Sequence, residues 1–177
     1  NGDISNWDVS NVTDMSGMFR YAKEFNQALN NWNVSNVTNM RAMFHLANNF
    51  NQPLNNWDVS NVIKMYEMFF SAKSFNQALD NWNVSKVTNM NSIFCGTKKF
   101  NQNINSWNIE NLVNVSWMFF SSKSFNQTLL WDLTNINNAN HMFDNAIAFE
   151  KRFNNGNALP NDTNDLKQWL KENSDIM

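Results

Sequence analysis

The sequence predicts an α/β solenoid of about six stacked strand-turn-helix copies, with a parallel sheet on one face and short helices on the other. Three observations predict it. Trp7, Trp32, Trp57, Trp82 and Trp107 recur 25 residues apart, and Trp131 follows after 24. Phe25, Phe50, Phe75, Phe100 and Phe125 open successive copies at the same interval. Inside each copy the apolar spacing changes from strand-like to helix-like, so one unit holds both elements.

The copy from Phe25 to Asn49 shows the elements in order. Trp32 and Val34 alternate with polar Asn31, Asn33 and Ser35, which predicts a short half-buried strand. Met40, Met43, Phe44 and Ala47 follow at i, i+3, i+4 and i+7, one face of a helix. Ser35, Asn36 and Thr38 are suitable N-caps ahead of it. Asn48 and Asn49 suit the turn that ends it, and Phe50 and Leu54 return the chain to the next strand. The columns stay apolar along the chain, as in Met15, Met40, Met65, Met90, Val115 and Ala139. One copy cannot bury its own face, so stacking must supply the core. At a strand spacing of roughly 4.8 Å, six copies span on the order of 29 Å.

Residues 1–153 therefore read as a single repeat domain, and 154–177 as an irregular passage followed by a capping helix. Asn154, Asn155, Gly156 and Pro160 interrupt the pattern. Asp162 and Thr163 suit a helix cap, with Leu166, Trp169 and Leu170 on one face of a helix running to about Asn173. No matching cap precedes Trp7, and Asn1 aligns with Asn26 inside a copy. The expectation is a fragment whose open first copy promotes end-to-end association.

Composition narrows the function. A net charge of -2 and 16% charged residues point to neither nucleic acid nor a membrane surface. These residues show neither a secretory-leader pattern nor an apolar run long enough to span a bilayer, and the expected fragment leaves room for a signal or anchor outside them. About a fifth of the chain is Asn, in register with the apolar columns, which marks an ordered repeat rather than a low-complexity tract. Cys95 is the only cysteine, excluding an intrachain disulfide. His45 and His141 lie nearly four copies apart, roughly 19 Å by strand spacing. No metal, cofactor or catalytic residue is expected, and the chain reads as a non-enzyme.

The run Leu29-x-x-Trp32-x-Val34-x-x-Val37-x-x-Met40 has the spacing of a leucine-rich repeat, departing from it where Val37 replaces the usual Asn. The fuller string W-x-V-S-N-V-T-N-M-x-x-M-F-x-x-A-x-x-F-N-Q resembles the 25-residue repeat of bacterial surface lipoproteins, close to the BspA-like leucine-rich repeat surface proteins. The resemblance covers about residues 3 to 150. It implies a right-handed leucine-rich-repeat-like solenoid at a bacterial cell surface, used for adhesion or other protein contacts. It transfers no catalytic residue.

Two surfaces are candidate sites. The solvent side of the strands carries Asn6, Asn31, Asn56 and Asn81 in one column. Asp8, Asn33, Asp58, Asn83, Asn108 and Asp132 form the next. This amide-rich array suits an extended protein or glycan partner, and equally suits a ladder that satisfies itself between layers. On the helix side, Tyr66, Phe70, Trp117 and Phe120 break polar columns and form a candidate aromatic patch. Lys23, Lys73, Lys98 and Lys123 are placed at helix C-termini, where the helix dipole favours cations. The leading functional expectation is an interaction or adhesion module that binds through the strand face. A spacer presenting another domain is the alternative, and an enzyme with no recognisable site the distant one.

Overall fold

The computed structural model describes residues 2–176, so Asn1 and Met177, each the end of a segment read above, lie outside it. The coil from Leu29 to Phe50 shows how the backbone runs. Trp32 N–H donates to Leu29 O, Val37 to Val34, Met43 to Met40, His45 to Ala42, Ala47 to Phe44 and Phe50 to Ala47. Every one of these closes a turn of four residues. The N–H groups of Met40, Ala42, Phe44 and Leu46 leave the coil and donate to Lys64, Tyr66, Met68 and Phe70 at 2.8, 3.1, 2.8 and 2.7 Å.

This overturns the strand-turn-helix reading. Repeat helices are absent among the described residues, because a helix needs negative φ and bonds back four residues. Ala42 and Leu46 instead have φ of 52° and 59°, and the same two positions of every coil are left-handed. No parallel sheet forms among the described residues either: the coils there share isolated parallel bridges, from Asp14 through Asn39, Lys64, Asn89 and Asn114 to Asn138. The leucine-rich-repeat-like architecture falls with both elements. The lysines at 23, 73, 98 and 123 consequently meet no helix end. The reason is an ambiguity of pattern. Apolar residues at Met40, Met43, Phe44 and Ala47 face one interior whether the chain winds as a helix or rolls through consecutive turns, and exporting alternate N–H groups to the next coil selects the turns.

The coils stack with like against like. Phe19, Phe44, Phe69, Phe94, Phe119 and Phe143 form a column with centroids 5.5–5.8 Å apart. Phe25, Phe50, Phe75, Phe100, Phe125 and Phe149 form a second at 5.9–6.2 Å. The indoles of Trp32, Trp57, Trp82 and Trp107 are buried, and each Nε1 donates to a carbonyl of the preceding coil, Ile4, Leu29, Leu54 and Leu79 respectively. Two buried hydroxyls stand in the column otherwise filled by Ala22, Ala47, Ala72 and Ala146: Thr97 and Ser122 both donate to Phe94 O.

Asparagine joins the coils where backbone does not. Asn26, Asn51, Asn76 and Asn101 each accept, on Oδ1, the backbone N–H 25 residues ahead, at 2.9 Å. Gln52, Gln77, Gln102 and Gln127 reach back to the carbonyls of the same asparagines, and Arg152 takes that place at Asn126.

The bonds exported from each turn row all point toward the following coil, so the two ends of the stack differ chemically. At the last coil, Ala139 N–H donates to Thr163 Oγ1 and His141 N–H to Asn161 O. Helix α1 (Ile147–Phe153) replaces the extended return of the earlier coils, and α2 (Thr163–Glu172) lies over the last layer, capped by Asp162. Phe153, Leu159, Leu166 and Leu170 are buried there. At the first coil, the carbonyls of Asp14, Ser16, Met18 and Arg20 accept no such bond among the described residues, and Trp7, Met18 and Tyr21 are exposed. Two first coils brought face to face would set acceptors against acceptors, which narrows the end-to-end expectation: the matching donors lie under the C-terminal segment.

Phe69→Ala should cost about 3–5 kcal/mol, since it empties a site walled by rings in both adjacent coils; urea unfolding followed by tryptophan fluorescence measures it. Deleting residues 154–177 bares the last donor row. The shortened chain should associate head to tail, its sedimentation coefficient rising with concentration while that of the full chain stays constant.

Candidate functional site

A repeated coil exposes its own design rules. Positions that hold the stack keep their residue type from copy to copy, and positions that do not are released. Some released positions, such as Thr38, Ile63 and Val113, lie elsewhere, but four columns of them lie on the outer side of the turn row. They read Arg20, His45, Phe70, Cys95, Phe120 and Asp144 in one column, and Gly17, Ala42, Glu67, Ser92, Trp117 and His141 in another. Ser16, Arg41, Tyr66 and Asn91 begin a third, and Tyr21, Leu46, Ser71 and Gly96 a fourth.

The structure gathers these side chains into two groups. In the first, the Arg20 guanidinium lies 5.0 Å from the Tyr21 ring and that of Arg41 5.0 Å from Tyr66. His45 stacks on Phe70 at 4.6 Å and meets the edge of Tyr21 at 5.7 Å. His45 Nδ1 is 3.4 Å from Glu67 Oε2, an electrostatic contact without hydrogen-bond alignment, and is otherwise buried without a partner. Burial, and then Arg20, push the His45 pKa below its ordinary 6.5, against the opposing pull of Glu67. In the second group, Trp117 packs against Phe120 at 4.8 Å and His141 at 4.4 Å, while His141 Nδ1 lies 2.8 Å from Asp144 Oδ2.

The fourth coil separates the two groups. Its outer residues, Asn91, Ser92, Cys95 and Gly96, are small, and Asn91 Nδ2 is tied to Ser116 Oγ at 2.8 Å. Gly96 has a φ of 69°, and a Cβ there would stand 2.7 Å from Ser71 Oγ. Burial pushes the Cys95 thiol up to about 11, so it is no nucleophile at neutral pH. Several large residues of this face also hold positive φ, among them Tyr21 at 63°, Glu67 at 58° and Trp117 at 60°. Such residues cost on the order of 1–3 kcal/mol each and persist where surrounding bonds over-determine them, as the exported N–H groups do here.

The amide columns have a different setting. Asp8, Asn33, Asp58, Asn83, Asn108 and Asp132 are exposed along one line, yet each side chain accepts the backbone N–H two residues on, at 2.9–3.2 Å. Those bonds, from Ser10, Ser60 and Thr134, lower the pKa of Asp8, Asp58 and Asp132. Asn6, Asn31, Asn56 and Asn81 are also exposed, and Asn31 accepts from Asn30. The column at 8, 33 and 58 thus shapes turns with one oxygen, and only its remaining atoms face outward.

Tyr66 and Phe70 belong to the first aromatic group, Trp117 and Phe120 to the second, and small residues divide the four. Tyr21, Arg41 and Glu67 are not among the residues singled out from the sequence, and Arg20 is so only as a member of the variable column of Cys95; variability within an otherwise fixed repeat is the signal for all four. His45 and His141 fall in different groups. Among the described residues no group of His, Cys, Asp and Glu is placed to hold a metal ion, and no helix is long and apolar enough to cross a membrane.

The architecture defines a class, a repeat protein of stacked turn-built coils whose outer row is free to vary. The chain belongs to the family described as "Mycoplasma protein of unknown function, DUF285", which matches residues 1–94 and 76–176. That places it in a bacterial repeat family, and the match does not indicate the leucine-rich surface proteins resembled above. Neither a curated protein nor a solved structure matches the chain.

The folded His45 binds its proton less tightly than an unfolded one, so acid favours the unfolded chain. The contribution of His45 is complete above pH 6.5 and declines and is lost as pH falls from there through the lower folded value. His45→Phe, which copies Phe70 of the next coil, should remove that decline; melting temperatures between pH 7 and pH 5 test it.

Proposed function

We propose that the chain is a non-enzymatic interaction module of a bacterial surface protein, and that its outer turn row holds a macromolecular partner. The observation that supports this most is the filling of released positions on the outer face by arginine laid on tyrosine and by tryptophan. Aromatic rings and arginine give the largest contact energies at protein interfaces, and rings held by packing lose little entropy on binding. The amide columns support the reading less, because the Asx turns already engage one oxygen of each residue in the column at 8, 33 and 58.

Placement at the cell surface rests on the resemblance of the repeat to bacterial surface proteins, and adhesion is the use it suggests. Labelled protein applied to glycan and peptide arrays tests the module. Arg41→Ala combined with Tyr66→Ala should abolish the strongest binding, with Asn33→Ala combined with Asn83→Ala leaving it within about threefold. Loss confined to the second pair would move the site to the amide columns. Absence of any binding on either array would favour a spacer.

A further inference from the structure

The last coil departs from its predecessors in three ways that meet at one place. It is one residue short, since Trp131 follows Trp107 by 24. Leu130 stands in the column otherwise held by Asn6, Asn31, Asn56, Asn81 and Ser106, and it is 71% exposed. The Trp131 indole Nε1 is buried without a hydrogen-bond partner, where four earlier indoles are pinned to carbonyls. The shortened loop has removed the register that set those bonds. Beside these residues, α2 does not fully close the layer. A cleft of about 970 Å³ remains between α2 and the last coil, with Leu129, Leu133, Met142 and Leu170 among its lining. That is the upper part of the range of roughly 300–1,000 Å³ typical of ligand sites.

We infer that this cleft binds a fatty acid, its alkyl chain on the apolar wall and its carboxylate at the Lys171 ammonium. The polar groups of the lining favour an alkyl chain over a peptide, because they are largely engaged. Lys167 Nζ donates to Thr134 O and Ile136 O, both at 3.2 Å, Asp132 Oδ1 accepts from the Thr134 hydroxyl and N–H, and Glu172 accepts from Gln168. An alkyl chain requires no hydrogen bonds and gains from leaving water. The lining carries two acids and two bases, Asp132, Glu172, Lys167 and Lys171, and of these Lys171 is the open charge that suits an acid head. Asp132 lies within the field of Lys167, and Lys171 is exposed with no ion pair or hydrogen bond among the described residues. The Trp131 ring, stacked on Trp107 at 6.3 Å, forms part of the wall and offers the chain an apolar face.

The test uses the whole chain and calorimetric titration with sodium oleate below its micelle concentration. One site per chain is expected, with affinity rising along the series from octanoate to oleate by up to about fourfold per methylene. Lys171→Gln should weaken oleate about tenfold and leave oleyl alcohol unchanged. Leu130→Asn, which restores the residue of the other coils, should weaken both several-fold. Both positions are exposed, so unchanged melting temperatures will exclude misfolding. No oleate binding, several sites per chain, or binding indifferent to both substitutions would overturn the assignment. Arg41→Ala with Tyr66→Ala should leave oleate binding intact, so failure of the outer-row reading and failure of this one are separable.

Discussion

The export of alternate backbone N–H groups from one coil to the next is the constraint on which the rest of this structure depends. A chain that donates every second N–H outward cannot also make the four-residue bonds of a helix. It closes turns between the exported bonds instead, and two residues per coil take positive φ to aim them. Because all of these bonds run the same way, each coil repeats the last at a constant offset. The phenylalanines of one layer must then lie against those of the next, and the core is two ring columns beside an indole column. Dispersion between well-fitted rings and burial of their area stabilise the arrangement, and the hydrogen bonds set its geometry.

The abundance of asparagine follows from the same constraint. With only isolated bridges between coils, much of the backbone outside the turn row has no ladder to join. The Asn side chain supplies the missing groups over a short reach. At Asn51, Asn76 and Asn101 it accepts the N–H of the coil ahead, at Asn36, Asn61 and Asn111 it donates to the coil behind, and at Asn33 or Asn83 it forms a turn within its own coil. Structure thereby occupies most columns. The outer side of the turn row, where the backbone is already bonded, is where the proposed recognition face lies.

Direction also makes the ends unequal. In the last donor row Thr163 and Asn161 accept from Ala139 and His141, so the C-terminal segment supplies hydrogen-bond acceptors as well as covering apolar side chains. The shortened loop before Trp131 is the one place where register fails among the tryptophan columns, and the cleft opens beside it. A stack tolerates such a lapse at its last layer because no further coil has to match it.

Much of this was legible in one dimension. The period, the inward side of Trp32, Val34, Met40 and Phe44, and the cap of α2 at Asp162 all follow from apolar spacing and from the need of a helix end for an acceptor. Tyr66, Phe70, Trp117 and Phe120 stood out as departures from their columns. What the sequence could not decide was the path between the inward residues. The spacing of Met40, Met43, Phe44 and Ala47 fits a helix and a run of turns equally, and the choice lies in hydrogen bonds to residues 24 positions away. Only the stacked structure separates asparagines that bind their own turn from those that join coils, leaves Trp131 without its carbonyl, and sets Arg20 on Tyr21 beside His45. Each of these depends on which group a neighbouring coil presents, and that is a property of the assembled layers rather than of any single copy.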